Sequence, residues 1–171
     1  MTGKPILIVF GGLPATGKTT LSRELTRRYA ASYIRVDAIE QSLRAAGHDV
    51  GPMGYVIANA LAAENLKLGR VVVADGVNPV RASREGWRQT ALQSSMPIAE
   101  IEVICSDVAL HRQRAEARTS DIPGLKPPTW QDIVTRHYEP WDRDHLVLDT
   151  AHDSIDHLLG LVELYLRDVM E

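Results

Sequence analysis

At 171 residues, with 44% hydrophobic and 24% charged side chains, the chain has the composition of a globular domain, which excludes a fibrous, low-complexity or disordered protein. That length supports one core, burying roughly 70% of the surface that the unfolded chain exposes. A net charge of −3 gives no overall field for collecting nucleic acid or an anionic membrane, and a single cysteine, Cys105, excludes both an intrachain disulfide and a cysteine-built zinc site.

The opening stretch MTGKPILIVFGG carries an apolar run too short for a signal peptide and leads into a glycine loop, so the expectation is a cytoplasmic protein. No segment approaches the ~20 apolar residues of a membrane helix, and no membrane partner is expected. ILIVF (6–10) is a continuous, β-branched run, as in a strand covered on both faces. A helix follows from the glycine loop to near Ala31, with Leu21, Leu25 and Tyr29 forming its sheet-facing stripe. YIRVD (33–37) is the second strand, followed by helices at about 38–46 and 54–68, and VVVAD (71–75) is a third strand placed, like the first, in the middle of the sheet. After a helix at 80–94 comes IAEIEVIC (98–105), where Glu100 and Glu102 alternate with Ile101 and Val103 and predict a strand less covered on one side. A helix at 107–118 runs into SDIPGLKPP (120–128), whose three prolines and glycine read as a surface loop. The chain closes with a helix at 129–138, the strand LVLD (146–149) and a helix at 154–169 carrying Ile155, Leu158, Leu159, Val162, Leu166 and Val169 on one side. Alternating strands and helices predict an α/β domain with a mostly parallel sheet, single over 1–171.

The residues that carry chemistry begin at the first turn. GLPATGKT, from Gly12 through Leu13, Pro14, Ala15, Thr16, Gly17 and Lys18 to Thr19, satisfies G-x-x-x-x-G-K-[ST] with a strand before it and a helix after. Glycines let successive N–H groups turn toward phosphate oxygens, and the helix N-terminus favours an anion. Lys18 is expected on the β- and γ-phosphates of ATP, Thr19 on Mg²⁺, and Thr20 beside the α-phosphate. Ligands of open α/β sheets bind beyond the carboxyl ends of the strands, where Asp37 and Asp75 stand. Asp75 ends a strand of Walker B form and is expected to hold Mg²⁺, and Asp37 is a candidate catalytic base; helix capping is the competing reading for both. Asp149 is read as a turn and cap. Arg114 and Arg118, four apart on one helical face and next to the Pro/Gly loop, are expected in a lid at about 112–128 that stabilises transferring phosphate. A solvated helix face, with Arg112 and Glu116 paired, is the alternative. Met53, Tyr55 and Asn59 are candidates for a pocket wall and Arg136 for an acceptor contact, while Trp87, Trp130 and Trp141 read as packing anchors. Histidines 111, 137, 145, 152 and 157 are expected at the surface or at helix ends, and Cys105 in the core.

In the order GLPATGKTT, RVDAIEQSLR, VVVADGVNPVRASREGW, HRQRAEARTSDIPGL and LVLDTA, the chain resembles the small P-loop kinases of adenylate-kinase-like fold, in the group of AAA-type kinases, chloramphenicol phosphotransferase, zeta toxins and polynucleotide kinase. The resemblance implies a three-layer αβα sandwich with a five-stranded parallel sheet in the order 2-3-1-4-5 and a small lid. It further implies Asp37 as general base, Asp75, Asn78 and Arg84 at the substrate, and Arg114 and Arg118, with Arg112 contributing, in the lid. Two features depart from relatives: Glu40 stands where polynucleotide kinases carry an arginine for the nucleic-acid phosphate, and the DGDNVR-like segment of adenylylsulfate kinases is missing. The expected activity is ATP- and Mg²⁺-dependent phosphorylation of a hydroxyl on a small molecule; an antibiotic, sugar, nucleoside or other metabolite fits. A nucleic-acid 5′-hydroxyl kinase, disfavoured by the acidic balance, and a slow ATPase switch are the alternatives.

Overall fold

In a computed structural model, which describes residues 4–171, the strands are β1 (Leu7–Gly11), β2 (Ser32–Arg35), β3 (Val72–Asp75), β4 (Ile98–Ile104) and β5 (Leu146–Asp149). Residues 1–3 of the expected domain lie outside the described residues. The strands form one sheet in the order β2-β3-β1-β4-β5, and every neighbouring pair is parallel. Parallel pairing requires a crossover between consecutive strands, and the helices supply it.

The helices are α1 (Lys18–Tyr29), α2 (Val36–Ala45), α3 (Met53–Lys67), α4 (Arg81–Gln93), α5 (Val108–Ala117), α6 (Trp130–Val134) and α7 (Ile155–Met170). Leu21 and Leu25 of α1, with Leu158, Leu159, Val162 and Leu166 of α7, pack on one face of the sheet against Ile8, Phe10, Ile101 and Val103. Ala58, Ala62 and Leu66 of α3, with Trp87 and Ala91 of α4, cover the other face over Leu7, Val9, Val72 and Ala74. The result is a three-layer αβα sandwich. Burial on both faces explains why β1 and β3 read as unbroken apolar runs. No helix among the described residues is long and apolar enough to cross a membrane.

Three elements differ from the expectation. The second strand stops at Arg35, so Asp37 lies in the first turn of α2 instead of at a strand end. The helix expected at 129–138 is only Trp130–Val134, opened by a Thr129–Asp132 capping box. Farther on, the chain is held by other partners: Glu139 N–H donates to the Pro79 carbonyl at 2.7 Å, and Arg84 takes the carbonyls of Glu139 and Pro140. The polar side of β4 is also covered, since Glu100 is only 6% exposed and accepts from Arg88, while Glu102 accepts from Tyr138 and pairs with His145. Alternation there marks a buried polar layer and not an open face.

Candidate active site

The turn after β1 folds back on itself because the backbone visits conformations that side chains resist. Gly12 has φ 138°, and a Cβ there would stand 2.2 Å from the Val103 carbonyl oxygen, so only glycine fits. Ala15 (φ 67°) and Gly17 (φ 97°) are also left-handed, and Gly17 caps α1 with no side chain over the helix end. The first N–H groups of α1 therefore face the cleft with the positive end of the helix dipole behind them. Thr16 Oγ1 closes the turn by donating to the Leu13 carbonyl at 2.9 Å.

Two side chains from elsewhere hold this loop, and neither is legible in the motif. His111, expected at the surface, is buried beneath the loop with Nε2 2.8 Å from the Pro14 carbonyl, and its ring meets Trp130 edge to face. A carbonyl oxygen only accepts, so Nε2 carries the proton. Thr150, just past β5, donates from Oγ1 to the Thr16 carbonyl at 2.6 Å.

Beyond the loop opens a cleft of about 790 Å³. It brings together Lys18, Thr19 and Thr20 from the start of α1, Asp37, Glu40, Gln41 and Arg44 from α2, Tyr55 from α3, and Arg136 beyond α6. Arg114, Arg118, Asp121 and the stretch Gly124–Pro128 form the opposing wall. Its seven cations are Lys18, Arg35, Arg44, Arg114, Arg118, Lys126 and Arg136, against three carboxylates, Asp37, Glu40 and Asp121; the site is thus cationic in a chain that is acidic overall.

Asp75 lies 2% exposed beneath Thr19, accepting from Thr19 Oγ1 at 2.8 Å and from the Tyr33 hydroxyl at 2.7 Å. Burial, and next the Asp75 charge, push the Tyr33 phenol far above its ordinary range, so it stays a donor. Asp37 sits at the positive end of the α2 dipole, where a carboxylate is favoured. It does not cap the helix; that position is Arg35. Glu40, one turn on, is raised by burial and then by the Asp37 charge, while its ion pair with Arg44 at 3.2 Å opposes the rise.

The expected lid arginines separate. Arg114 donates to Thr150 Oγ1 at 2.8 Å and to the Thr150 carbonyl at 3.0 Å, so it supports the phosphate loop through Thr150. Arg118 does not share its helical face, because α5 ends at Ala117 and Arg118 is extended (φ −74°, ψ 142°) at the cleft. The 118–128 stretch, which lines the cleft, is tied to α1 and β2 by Asp121, which takes both Arg23 and Arg35. Burial works against the Asp121 charge, but the two guanidiniums prevail and hold its carboxyl at about 2. Arg112, as read from spacing, pairs with Glu116 at 2.8 Å on the exposed side of α5.

Two residues expected at the acceptor are placed elsewhere. Asn78, left-handed at φ 51° and fully buried, gives Nδ2 to the Phe10 carbonyl at 2.9 Å and accepts from Trp87 Nε1 at 2.8 Å. Arg84, 0% exposed, donates to the carbonyls of Asn78, Glu139 and Pro140 and lies 5.0 Å over the Trp141 ring. Neither lines the cleft, because both side chains are used in clasping backbone. Asp149 accepts from the N–H groups of Ser106 and Ala151, as a turn carboxylate does. Among the described residues no three His, Cys, Asp or Glu side chains converge as a metal site.

The sequence pattern of the AAA domain family matches residues 7–140. Over 189 aligned positions the chain is 24% identical to a protein of Aeropyrum pernix named "Probable adenylyl-sulfate kinase", covering 98% of this chain and 96% of that one. Among solved structures, the Mycobacterium tuberculosis APS kinase CysC in complex with AMPPNP and APS superposes with a TM-score of 0.73 at 17% identity, covering 96% of this chain and 98% of its own. The Chaetomium thermophilum protein Kti12 in complex with ADP-AlF3 superposes at 0.69 with 22% identity, covering 96% and 99%.

Proposed function

We propose that this chain, which belongs to the AAA domain family and has the fold of the small P-loop kinases, is an ATP- and Mg²⁺-dependent phosphotransferase acting on a hydroxyl group of a small molecule. The observation that carries the reading is a single cleft in which Lys18 and Thr19 of the phosphate loop face Asp37 and Arg118.

The residues present fit both groups. Gly12 and Gly17 leave the loop free of side chains that would fill a phosphate cradle, and the uncapped start of α1 supplies N–H donors. For a magnesium ion, the Thr19 hydroxyl and the Asp75 carboxylate, 2.8 Å apart, are oxygen donors of the right hardness. When bound, Mg²⁺ would supply positive charge that eases the build-up of negative charge during transfer.

The protein's own groups would do the rest. Lys18 would hold terminal phosphate oxygens at the start of α1, and Arg118, which lines the same cleft, would add its guanidinium as charge spreads over the transferring group. Asp37 would accept the proton of the acceptor hydroxyl. His111 and Thr150 would keep the loop carbonyls of Pro14 and Thr16 turned away from the phosphates, so that the N–H groups face them. The 118–128 stretch, tethered through Asp121, would limit water at the transferring phosphate.

The test is a screen for ADP release against a library of hydroxyl compounds, with mass spectrometry for a product heavier by one phosphoryl group. Release that depends on one compound class, with the phosphorylated product, is the expected result. ADP release at one rate whatever is added, and no heavier product, would instead identify a slow nucleotide hydrolase.

A further inference from the structure

We infer that the acceptor itself carries a negative charge, a phosphate, sulfate or carboxylate group set apart from the hydroxyl that is phosphorylated. The inference deepens the proposed phosphotransferase reading and rests on it for the location of the acceptor.

The argument is a charge balance. The wall has seven cations against three carboxylates, and counting the buried Asp75 beneath Thr19 makes four. A nucleoside triphosphate with one divalent cation brings about two negative charges. Positive charge is left over, and a cleft with low-dielectric walls concentrates it.

Its position follows from the pairing. Glu40 answers Arg44 at 3.2 Å, and Asp121 answers the buried Arg35, whose Nε has no partner. Lys126 and Arg136 also line the cleft, yet among the described residues neither forms an ion pair. The Tyr55 phenol, pushed up chiefly by burial, also feels Glu40, Asp37 and Arg136, and all four residues line this cleft. Asp37 and Arg136 thus line the same cleft, and Lys126 lines it from the 118–128 stretch. An acceptor with a hydroxyl at Asp37 and an anionic group toward Arg136 and Lys126 satisfies both ends. A neutral acceptor leaves both of these exposed cations without an anionic partner in the cleft.

Inorganic sulfate is the probe, added at constant ionic strength to the full chain loaded with Mg²⁺ and AMPPNP, so that the phosphate loop is already filled. NMR of the arginine Nε–H groups, assigned with Arg136→Gln, reports binding. Saturable shifts at Arg136 are expected, with affinity at least about tenfold weaker in the Lys126→Gln/Arg136→Gln double variant, the loss of charge-assisted contacts. Shifts that fail to saturate, or a double variant that binds sulfate as the parent does, would overturn the inference. A second arm compares ADP release with glycerol and with glycerol 3-phosphate, and with other neutral and anionic pairs. Preference for the neutral member of the pairs would likewise overturn it. If no compound of either class stimulates release, the phosphotransferase reading fails, and the sulfate titration still decides the charge preference of the cleft.

Discussion

Removing one hydroxyl, in Thr150→Val, tests whether a residue 134 positions from the phosphate loop holds it in shape. The substitution keeps the volume, including the methyl group that packs 3.3 Å from where a Cβ on Gly17 would be. It deletes the donor to the Thr16 carbonyl (2.6 Å) and the acceptor for Arg114 (2.8 Å), while Arg114 keeps its second bond to the Thr150 carbonyl. One net hydrogen bond is worth about 1 kcal/mol, and leaving the carbonyl of the 2%-exposed Thr16 unpaired adds about 1–2 more, so the loss should be about 2–3 kcal/mol. In a chain of this size each kcal/mol lowers Tm by roughly 2–4 °C, so calorimetry should show a fall of about 4–12 °C. Thr150→Ser keeps the hydroxyl and should recover most of it. The reasoning is refuted if Thr150→Val melts within about a degree of the parent, or if the Val and Ser variants melt together.

Lys18→Ala should abolish most AMPPNP affinity while leaving the melting temperature of the free protein nearly unchanged, as read by calorimetric titration and thermal scans. Asp37→Asn should preserve nucleotide binding and lower single-turnover phosphorylation of an identified acceptor by ~10²–10⁴-fold, because the amide cannot take the proton; transfer at the parent rate would return Asp37 to a structural role. Arg118→Ala should lower kcat on the order of 10²-fold or more with nucleotide affinity intact, whereas Arg114→Ala, acting through Thr150, should lower stability as well. The Asp121 carboxyl, held at about 2 in the fold against an ordinary 3.8, stabilises the tether fully above the unfolded value and loses that contribution as pH falls toward 2. Acid melting curves between pH 4 and 2 should therefore fall more steeply for the parent than for Asp121→Asn; parallel curves would count against the tether.

How far the sequence reached depended on whether a signal was local. The phosphate loop was readable because its glycines, lysine and threonine act within eight residues, and the long apolar runs of β1 and β3 follow from burial on both faces. The stripe on α7 was readable for the same reason, since Leu158, Leu159, Val162 and Leu166 all face the core. His111, Thr150 and Asp121 were not, because each acts on a partner far along the chain: Pro14, Thr16 and Arg35 lie 97, 134 and 86 residues away. No periodicity marks such contacts. Arg84 shows the opposite difficulty: the resemblance implied a place at the substrate, but an arginine that clasps carbonyls and one that meets a ligand are written identically. The charged positions of β4 read as exposure because alternation records polarity, and a buried ion pair is polar too.

The way Arg84 is used bears on how this scaffold can change over generations. Its guanidinium takes hold of the main chain at Asn78, Glu139 and Pro140, and main-chain carbonyls are present whatever residue occupies those positions. The path of the segment that carries Arg136 is thus fixed by an anchor that is indifferent to the segment's own side chains. A replacement at 136, which is exposed and lines the cleft, would alter what the cleft offers to an incoming molecule without moving the backbone that offers it. Recognition and architecture are in this sense inherited separately, and a lineage built on this chain could exchange one acceptor for another by a few surface substitutions while the phosphate loop and its supports stay as they are.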